Sequence, residues 1–372
     1  MKKTLLLLMS FGLTQLSVGQ VFMNEDFSSY TIGNVGTDIT GVTPGQGNYL
    51  TTSTNGVDPT TTTNSDNSNF QIVDDGGIYD QVLQMTGPNG DKGNRFMWQE
   101  GFDAAWIART TGNDILEVEY DLFTGDVTTS QNNFRVYIFD AYTSLSTAKI
   151  LCGFTFNAGS KVLTGVAYYN NTAATPPTPP IGNWGFSLGL NGTTPANLVL
   201  PPNAWVRIGM SYDYNTGVVK FKGENFNPTA GTTGVQGAAA MTNPDQVAIY
   251  AVSGTNANAV PPVTNSAAAS VFYDNILVSA QATDSLLGVA QQQAIANDFS
   301  IYPNPITDFM NISNSVGMKS LSITDLNGRV VKSVELDNVQ EAGINLGELA
   351  SGVYIMNIDT DSGIITKKII KN

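Results

Sequence analysis

The 372-residue chain carries 31 acidic against 17 basic residues, a formal net charge of −14 at pH 7, with one cysteine and no histidine. Such a charge argues against nucleic acid as a partner. The missing histidine excludes Ser-His and Cys-His nucleophiles, histidine-ligated metals and histidine acid-base chemistry, so only carboxylate, tyrosine or lysine chemistry remains. Cys152 cannot form an intramolecular disulfide. It sits in the apolar run Ile150–Phe154, which reads as the place of a buried, inert thiol.

The chain opens on Lys2-Lys3, an apolar run from Leu5 to Leu16, and Ser17-Val18-Gly19. This pattern predicts a secretory signal peptide, residues 1–19, cleaved before Gln20. The run is shorter than the roughly 20 residues a membrane-spanning helix needs, and no later stretch is apolar enough to span. The remaining length and the shifts in composition predict two domains: a passenger over 20–280 and a second domain over 298–372, joined by a polar linker at 281–297.

Within the passenger, short alternating runs separated by Gly, Asn, Asp and Pro predict strands at Leu116–Phe123, Phe134–Phe139, Ile150–Phe156, Val162–Tyr169, Trp205–Tyr214, Val218–Lys222, Gln246–Val252 and Val271–Val278. Asn215-Thr216-Gly217 supplies a hairpin turn between two of them. Thr51–Thr63, Thr175–Pro180 and Gly254–Ala269 are low-complexity stretches that read as surface loops. With no amphipathic helix in view, the pattern predicts an all-β antiparallel sandwich. Asn24–Phe27 with Tyr30 and Gly33, Trp205–Ile208 leading to Tyr212-Asp213, and Val271–Ile276 together resemble the concanavalin A-like lectin/glucanase jelly roll. The resemblance implies that the first and last strands pair.

Three sets of residues could carry chemistry. Leu116–Leu122 places Glu117, Glu119 and Asp121 on one face of a strand, and paired carboxylates are the minimal equipment of a glycosidase. The laminarinase-type relatives carry Glu-x-Asp-x-(x)-Glu, whereas this chain has Glu-x-Glu-x-Asp; a solvated strand face is the other reading. Glu25, Asp26, Asp274 and Asn275 could converge on a structural calcium if the terminal strands pair. Trp98, Trp106 and Trp184 could stack on sugars, whereas Trp205 opens an alternating strand and reads as core. Three passenger functions follow: a non-catalytic module binding extracellular polysaccharide, a carboxylate-based glycoside hydrolase, or a structural adhesin.

After the linker come Asp298–Tyr302, Pro303-Asn304-Pro305, Phe309–Ile312, Leu321–Gly328, Ile344–Leu346, Ser351–Ile355 and the basic end Lys367-Lys368-Ile369-Ile370. Pro303 and Pro305 fix φ and remove donors, Asn327-Gly328 suits a two-residue hairpin, and Gly352 precedes an apolar strand containing Tyr354. The blocks resemble, in order, the type A C-terminal sorting domain of the Bacteroidetes type IX secretion system. The resemblance implies a small immunoglobulin-like β-sandwich, recognition by the secretion machinery, removal of the domain, and a protein released or held at the cell surface. In the linker, Asp284-Ser285-Leu286 resembles the O-glycosylation motif of these bacteria.

Overall fold

The computed structural model describes residues 19–372 apart from 56–64, 77–78, 80, 142–146, 177, 257–260, 288–299, 304, 326–328 and 361–362. Residues 1–18 of the expected signal peptide, most of the linker, Asn304 and the Asn327-Gly328 turn therefore lie outside the described residues. Internal contacts divide the chain into two units, Met1–Leu286 and Leu287–Asn372.

The first unit runs through β1 (Gln20–Glu25), β2 (Gly33–Asn34), β3 (Leu50–Thr54), β4 (Phe70–Asp74), β5 (Gln81–Thr86), β6 (Asn94–Trp98) and the short helix α1 (Phe102–Ile107). It continues with β7 (Ile115–Phe123), β8 (Asn133–Phe139), β9 (Ile150–Asn157), β10 (Val162–Asn170), β11 (Ile181–Ser187), β12 (Gly189–Asn191), β13 (Thr194–Ala196) and β14 (Leu198–Val199). Then follow β15 (Trp205–Asp213), β16 (Val218–Gly223), α2 (Pro228–Thr232), β17 (Val235–Gln236), β18 (Gln246–Val252), β19 (Thr255–Asn256), β20 (Val263–Thr264) and β21 (Ser270–Gln281). Two antiparallel sheets result. One has the order β17-β16-β15-β7-β21-β5-β4-β2 with β1 paired to β21, and the other β11-β10-β9-β8-β18-β6-β3. This is an all-β antiparallel sandwich, with the first strand paired to the last.

Alternation sets which side chains fill the space between the sheets. From the first sheet come Leu116, Val118, Tyr120 and Leu122 of β7 with Ile208, Met210 and Tyr212 of β15; from the second come Val136 and Ile138 of β8 with Phe154 and Phe156 of β9. Each such fully buried side chain contributes roughly 1.5–3 kcal/mol, and this core replaces the missing disulfides. Cys152 is among these residues, fully buried, and burial pushes its thiol well above its usual range.

Two expectations need correction. The Thr-rich stretch does not begin as a loop: Leu50–Thr54 is β3, paired to β6 at the edge of the second sheet, with Thr51 and Ser53 buried. Threonine suits a strand, and its hydroxyls are satisfied locally, Thr51 Oγ1 donating to Asp38 O at 2.6 Å. The linker also starts later than 281, because Gln281 completes β21 and Leu286 is buried.

In the second unit, β22 (Ser300–Tyr302), β23 (Phe309–Thr324), β24 (Val330–Asn345), β25 (Gly352–Thr360) and β26 (Gly363–Lys371) form one antiparallel sheet. β23 and β24 are 16 residues each, and register shifts between Ser313 and Ser320 bend the pair. One half of β23 takes β22 as its second neighbour and the other takes β25. The core is Met310, Ile312, Leu321, Ile323, Ile344, Met356, Ile358 and Ile369. Pro303 follows β22, Pro305 precedes a bridge between Ile306 and Lys371, and Gly352 opens β25. Tyr354 Oη donates to Ala350 O at 2.8 Å, while Lys367 and Lys368 pair with Met356 and Ile355 across β25 and β26.

Candidate functional site: an aromatic groove on the second sheet

The outer faces of the two sheets differ in character. On the first sheet, Glu117, Glu119 and Asp121 share the outer face of β7 but are buried, between 3% and 5% exposed. Each is held by protein. Arg207 of β15 lies 3.1 Å from Glu119 Oε2 and 3.6 Å from Asp121 Oδ1. Asp121 Oδ2 accepts from Tyr79 Oη at 2.9 Å and from Asn275 Nδ2 at 2.8 Å. Glu117 accepts from the Ser285 amide at 2.5 Å and its hydroxyl at 2.8 Å. Neither a solvated strand face nor a glycosidase pair facing a cleft matches this arrangement. Alternation correctly assigns these carboxylates to one face, and the cover over that face comes from chain distant in sequence.

That cover includes the first linker residues. Asp284 pairs with Lys220 at 2.7 Å and Lys222 at 3.4 Å, Lys222 also donates to Leu286 O, and Leu286 is 2% exposed. The Ser285 hydroxyl of the glycosylation-like motif is thus committed to Glu117. Burial pushes Glu117 up to about 7 against the two Ser285 hydrogen bonds, with Asp284 and Glu119 adding to the rise. Beyond Arg207, Trp205 packs at 4.5 Å from Tyr79 and 5.4 Å from Phe123. Trp205 is therefore half-buried on this outer face and not in the core, because its register partner Phe123 shares the face of the carboxylates.

The residues expected to bind calcium lie near one another where β1 pairs with β21, but the polar groups of each are bonded within the protein. Tyr30 Oη donates to Glu25 at 2.8 Å, and Asp26 Oδ1 caps the amide and hydroxyl of Ser28. A bulge in β21 between Asp274 and Leu277 puts Asn275 at φ +47°, a conformation asparagine tolerates. Its carbonyl there accepts from Arg207 at 2.7 Å. Arg207 supplies the positive charge, and among the described residues no three His, Cys, Asp or Glu side chains form an ion site. Burial pushes Asp274 up to about 8, with the Asn275 amide opposing and Asp121 and Asp26 reinforcing.

The tryptophans separate. Trp106 on α1 is fully buried beneath Arg109, 4.1 Å from its ring, and cannot meet a ligand. Trp184 alternates with Asn183 and Gly185 on β11 and so points away from the face those residues line; its Nε1 donates to Pro180 O at 3.2 Å. Trp98 lies on the outer face of the second sheet, 5.4 Å from Phe96.

From Trp98 a row of buried rings, each no more than 5% exposed, runs along that side of the sheet: Phe96 meets Tyr250 at 5.2 Å, and Tyr250 meets Tyr137 at 5.3 Å. Beside it opens a groove of about 370 Å³ lined by Arg135, Tyr137, Ile150, Thr155, Thr164, Val166, Asn183, Gly185 and Tyr250. Its floor depends on Gly153 of β9: a Cβ there would lie 2.3 Å from the Tyr137 ring, so only glycine lets that ring lie across the strand. Tyr137 and Thr155 hydroxyls are 2.5 Å apart, and Asn183 is spent on the backbone at Ile150 and Ala148. The Arg135 guanidinium lies 5.7 Å from the Tyr137 ring centre and 5.5 Å from that of Tyr250. Size and mixed lining suit a small-molecule or sugar subsite. The sequence signal for it is modest: Arg135, Tyr137 and Phe139 alternate on one face of β8, but Tyr250 joins them from a strand more than 100 residues later.

Residues 300–372 match the family described as Secretion system C-terminal sorting domain. The chain is a cargo of type IX secretion. It is exported to the cell surface or extracellular space, and among the described residues no helix is long and apolar enough to cross a membrane. No curated protein matches the chain. Among solved structures it is similar to Trypanosoma rangeli sialidase bound to a difluoro-KDN, at 12% identity and TM-score 0.30, over 59% of this chain and 27% of the sialidase. The cargo thus spans about a quarter of that enzyme's length. An alginate lyase mutant in complex with an alginate tetrasaccharide is 10% identical, with 69% of this chain and 95% of the lyase covered at TM-score 0.35. A Shewanella oneidensis MR-1 protein of unknown function is 13% identical, with 63% and 89% covered at TM-score 0.32.

Proposed function

We propose that the passenger of this type IX cargo is a non-catalytic module that binds extracellular polysaccharide along the outer face of its second sheet. The groove beside Tyr137 and Tyr250 carries this reading, since Thr155, Thr164 and the half-buried Arg135 line an open depression floored by the buried Tyr137 and Tyr250 rings. The carboxylates suited to glycoside hydrolysis lie on the other sheet and are consumed by Arg207, Tyr79, Asn275 and Ser285. An adhesin without a defined ligand has no need of such a groove. Thr164 projects into it from β10, next to Gly185. Thr164→Trp is expected to fill the groove and weaken retardation of the full chain in polysaccharide-containing gels by at least roughly tenfold, about 1.4 kcal/mol, while leaving its unfolding midpoint nearly unchanged. Unaltered retardation by every polysaccharide that slows the parent would move the binding elsewhere.

Export and trimming give a second expectation. Asp284, Ser285 and Leu286 are anchored on the first sheet, so proteolysis that removes the sorting domain is expected to leave Leu286 on the passenger. Intact-mass measurement of the exported protein checks this. A mature C-terminus before Asp284 would contradict the anchoring, and an intact Asn372 would contradict removal.

A further inference from the structure

We infer that the groove selects polysaccharides bearing carboxylates, with Arg135 as the group that reads them. The inference rests on the binding function proposed above and deepens it to a ligand class. Arg135 is the one charged residue in the groove lining, in a chain where acids outnumber bases by 31 to 17. Three of the other four arginines face carboxylates: Arg109 meets Asp114, Arg207 meets Glu119 and Asp121, and Arg329 meets Asp325, while Arg95 donates to the backbone carbonyls of Thr54 and Asn94. Among the described residues no carboxylate pairs with Arg135. Its hydrogen bonding is a single long contact from Nη1 to Tyr250 Oη at 3.4 Å, and its buried Nε has no acceptor.

An arginine left without a counter-ion on a partly desolvated face is costly, since a charge removed from water needs pairing. Here the two tyrosine rings, 5.7 and 5.5 Å from the guanidinium, and the long hydrogen bond to Tyr250 Oη compensate its charge only weakly. Among the other polar residues of the lining, Asn183 is committed to backbone groups, and Tyr137 and Thr155 hydroxyls bond each other. A ligand carboxylate would complete the site. A planar guanidinium matches a planar carboxylate better than it matches a neutral hydroxyl, and charge-assisted hydrogen bonds are about twice as strong as neutral ones. A lining without carboxylates also lets an anion approach a protein whose overall charge would repel it. The attraction is therefore local to the groove.

The test compares one backbone in two charge states. The full chain is titrated with oligomers of de-esterified polygalacturonate, the same oligomers fully methyl-esterified, and a neutral glucan. The expected result is at least about tenfold tighter binding to the de-esterified form, weakening as salt rises. Arg135→Gln should erase that preference and Arg135→Lys should keep part of it, both variants retaining the parent's near-ultraviolet circular dichroism. Should Arg135→Gln fail to fold, Thr164→Trp must erase the same preference. Equal affinity for both esterification states, or a preference that survives Arg135→Gln or Thr164→Trp, overturns the carboxylate assignment while leaving polysaccharide binding intact. Binding of none of the three by a correctly folded chain overturns the assignment; separately, failure of Thr164→Trp to weaken retardation by any other polysaccharide would overturn the groove itself.

Discussion

Arg207→Ala is expected to destabilise the passenger by about 3–5 kcal/mol, the usual result of removing one partner from a buried ion pair. The side chains of Glu119 and Asp121 are only 7% and 5% exposed, so water cannot take over the role of the guanidinium. The same change also removes the donor that holds Asn275 O in the β21 bulge. For a unit of this size the midpoint of thermal unfolding should fall by roughly 10 °C. Urea denaturation followed by tryptophan fluorescence measures the loss, and Trp205, two residues away, reports the site directly. Adding Glu119→Gln and Asp121→Asn should recover part of it, because neutral amides need no counter-charge. A loss under about 1 kcal/mol for Arg207→Ala would mean that the network is hydrated and not structural.

Stability should fall as pH rises from about 4 toward 8, the reverse of the trend for a protein held by depressed carboxylates. Glu117 and Asp274 are pushed up by burial to about 7 and about 8, so between their unfolded and folded values the native state holds more protons than the unfolded one. Under linkage, stability is then greatest below the unfolded values, is lost as pH rises from those to the folded values, and levels off once each group ionises in place. For Glu117 alone the loss is on the order of 3 kcal/mol by pH 8. Asp114 and Asp284 act oppositely. Their carboxyls are held below the usual range by Arg109 and by Lys220 with Lys222, against the effect of burial, so their contribution is lost on acidification below about pH 4. The expected optimum is mildly acidic. Asp274→Asn keeps an acceptor for the Asn275 amide and should flatten the decline above pH 6 and raise the midpoint at pH 8. A midpoint that climbs steadily from pH 5 to pH 8.5 in the parent would refute this balance.

Much of the strand content was legible because it is local. Gln246–Val252 is an apolar, β-branched and aromatic run, and its structural bounds coincide with that run, buried on both faces. Thr51 to Thr54 escaped because threonine suits both loops and strands, and only pairing with β6 selects between them. The candidate site was less legible. Trp98 was found by residue type and does lie on the groove's face, whereas Trp106 has the same composition signal and is core. Type alone cannot say which face of a packed element a ring occupies.

What the sequence by itself determined is therefore specific. It fixes the absence of histidine chemistry and of disulfides by inventory, the all-β class by periodicity, and the export route by ordered blocks in residues 300–372. Each of these depends on residue identity or on neighbours along the chain. Tertiary structure decided the fate of the charges. Glu119 and Asp121 become a structural pair only when β15 brings Arg207 beside them, and Glu117 only when Ser285 returns from 168 residues away. Arg135 is left without a carboxylate because strands from β8 to β11 surround it with tyrosine, threonine and asparagine. Whether a charge is paired, buried or left for a ligand depends on which strands lie alongside it, and pairing over such separations is set by the whole core and not by any one segment.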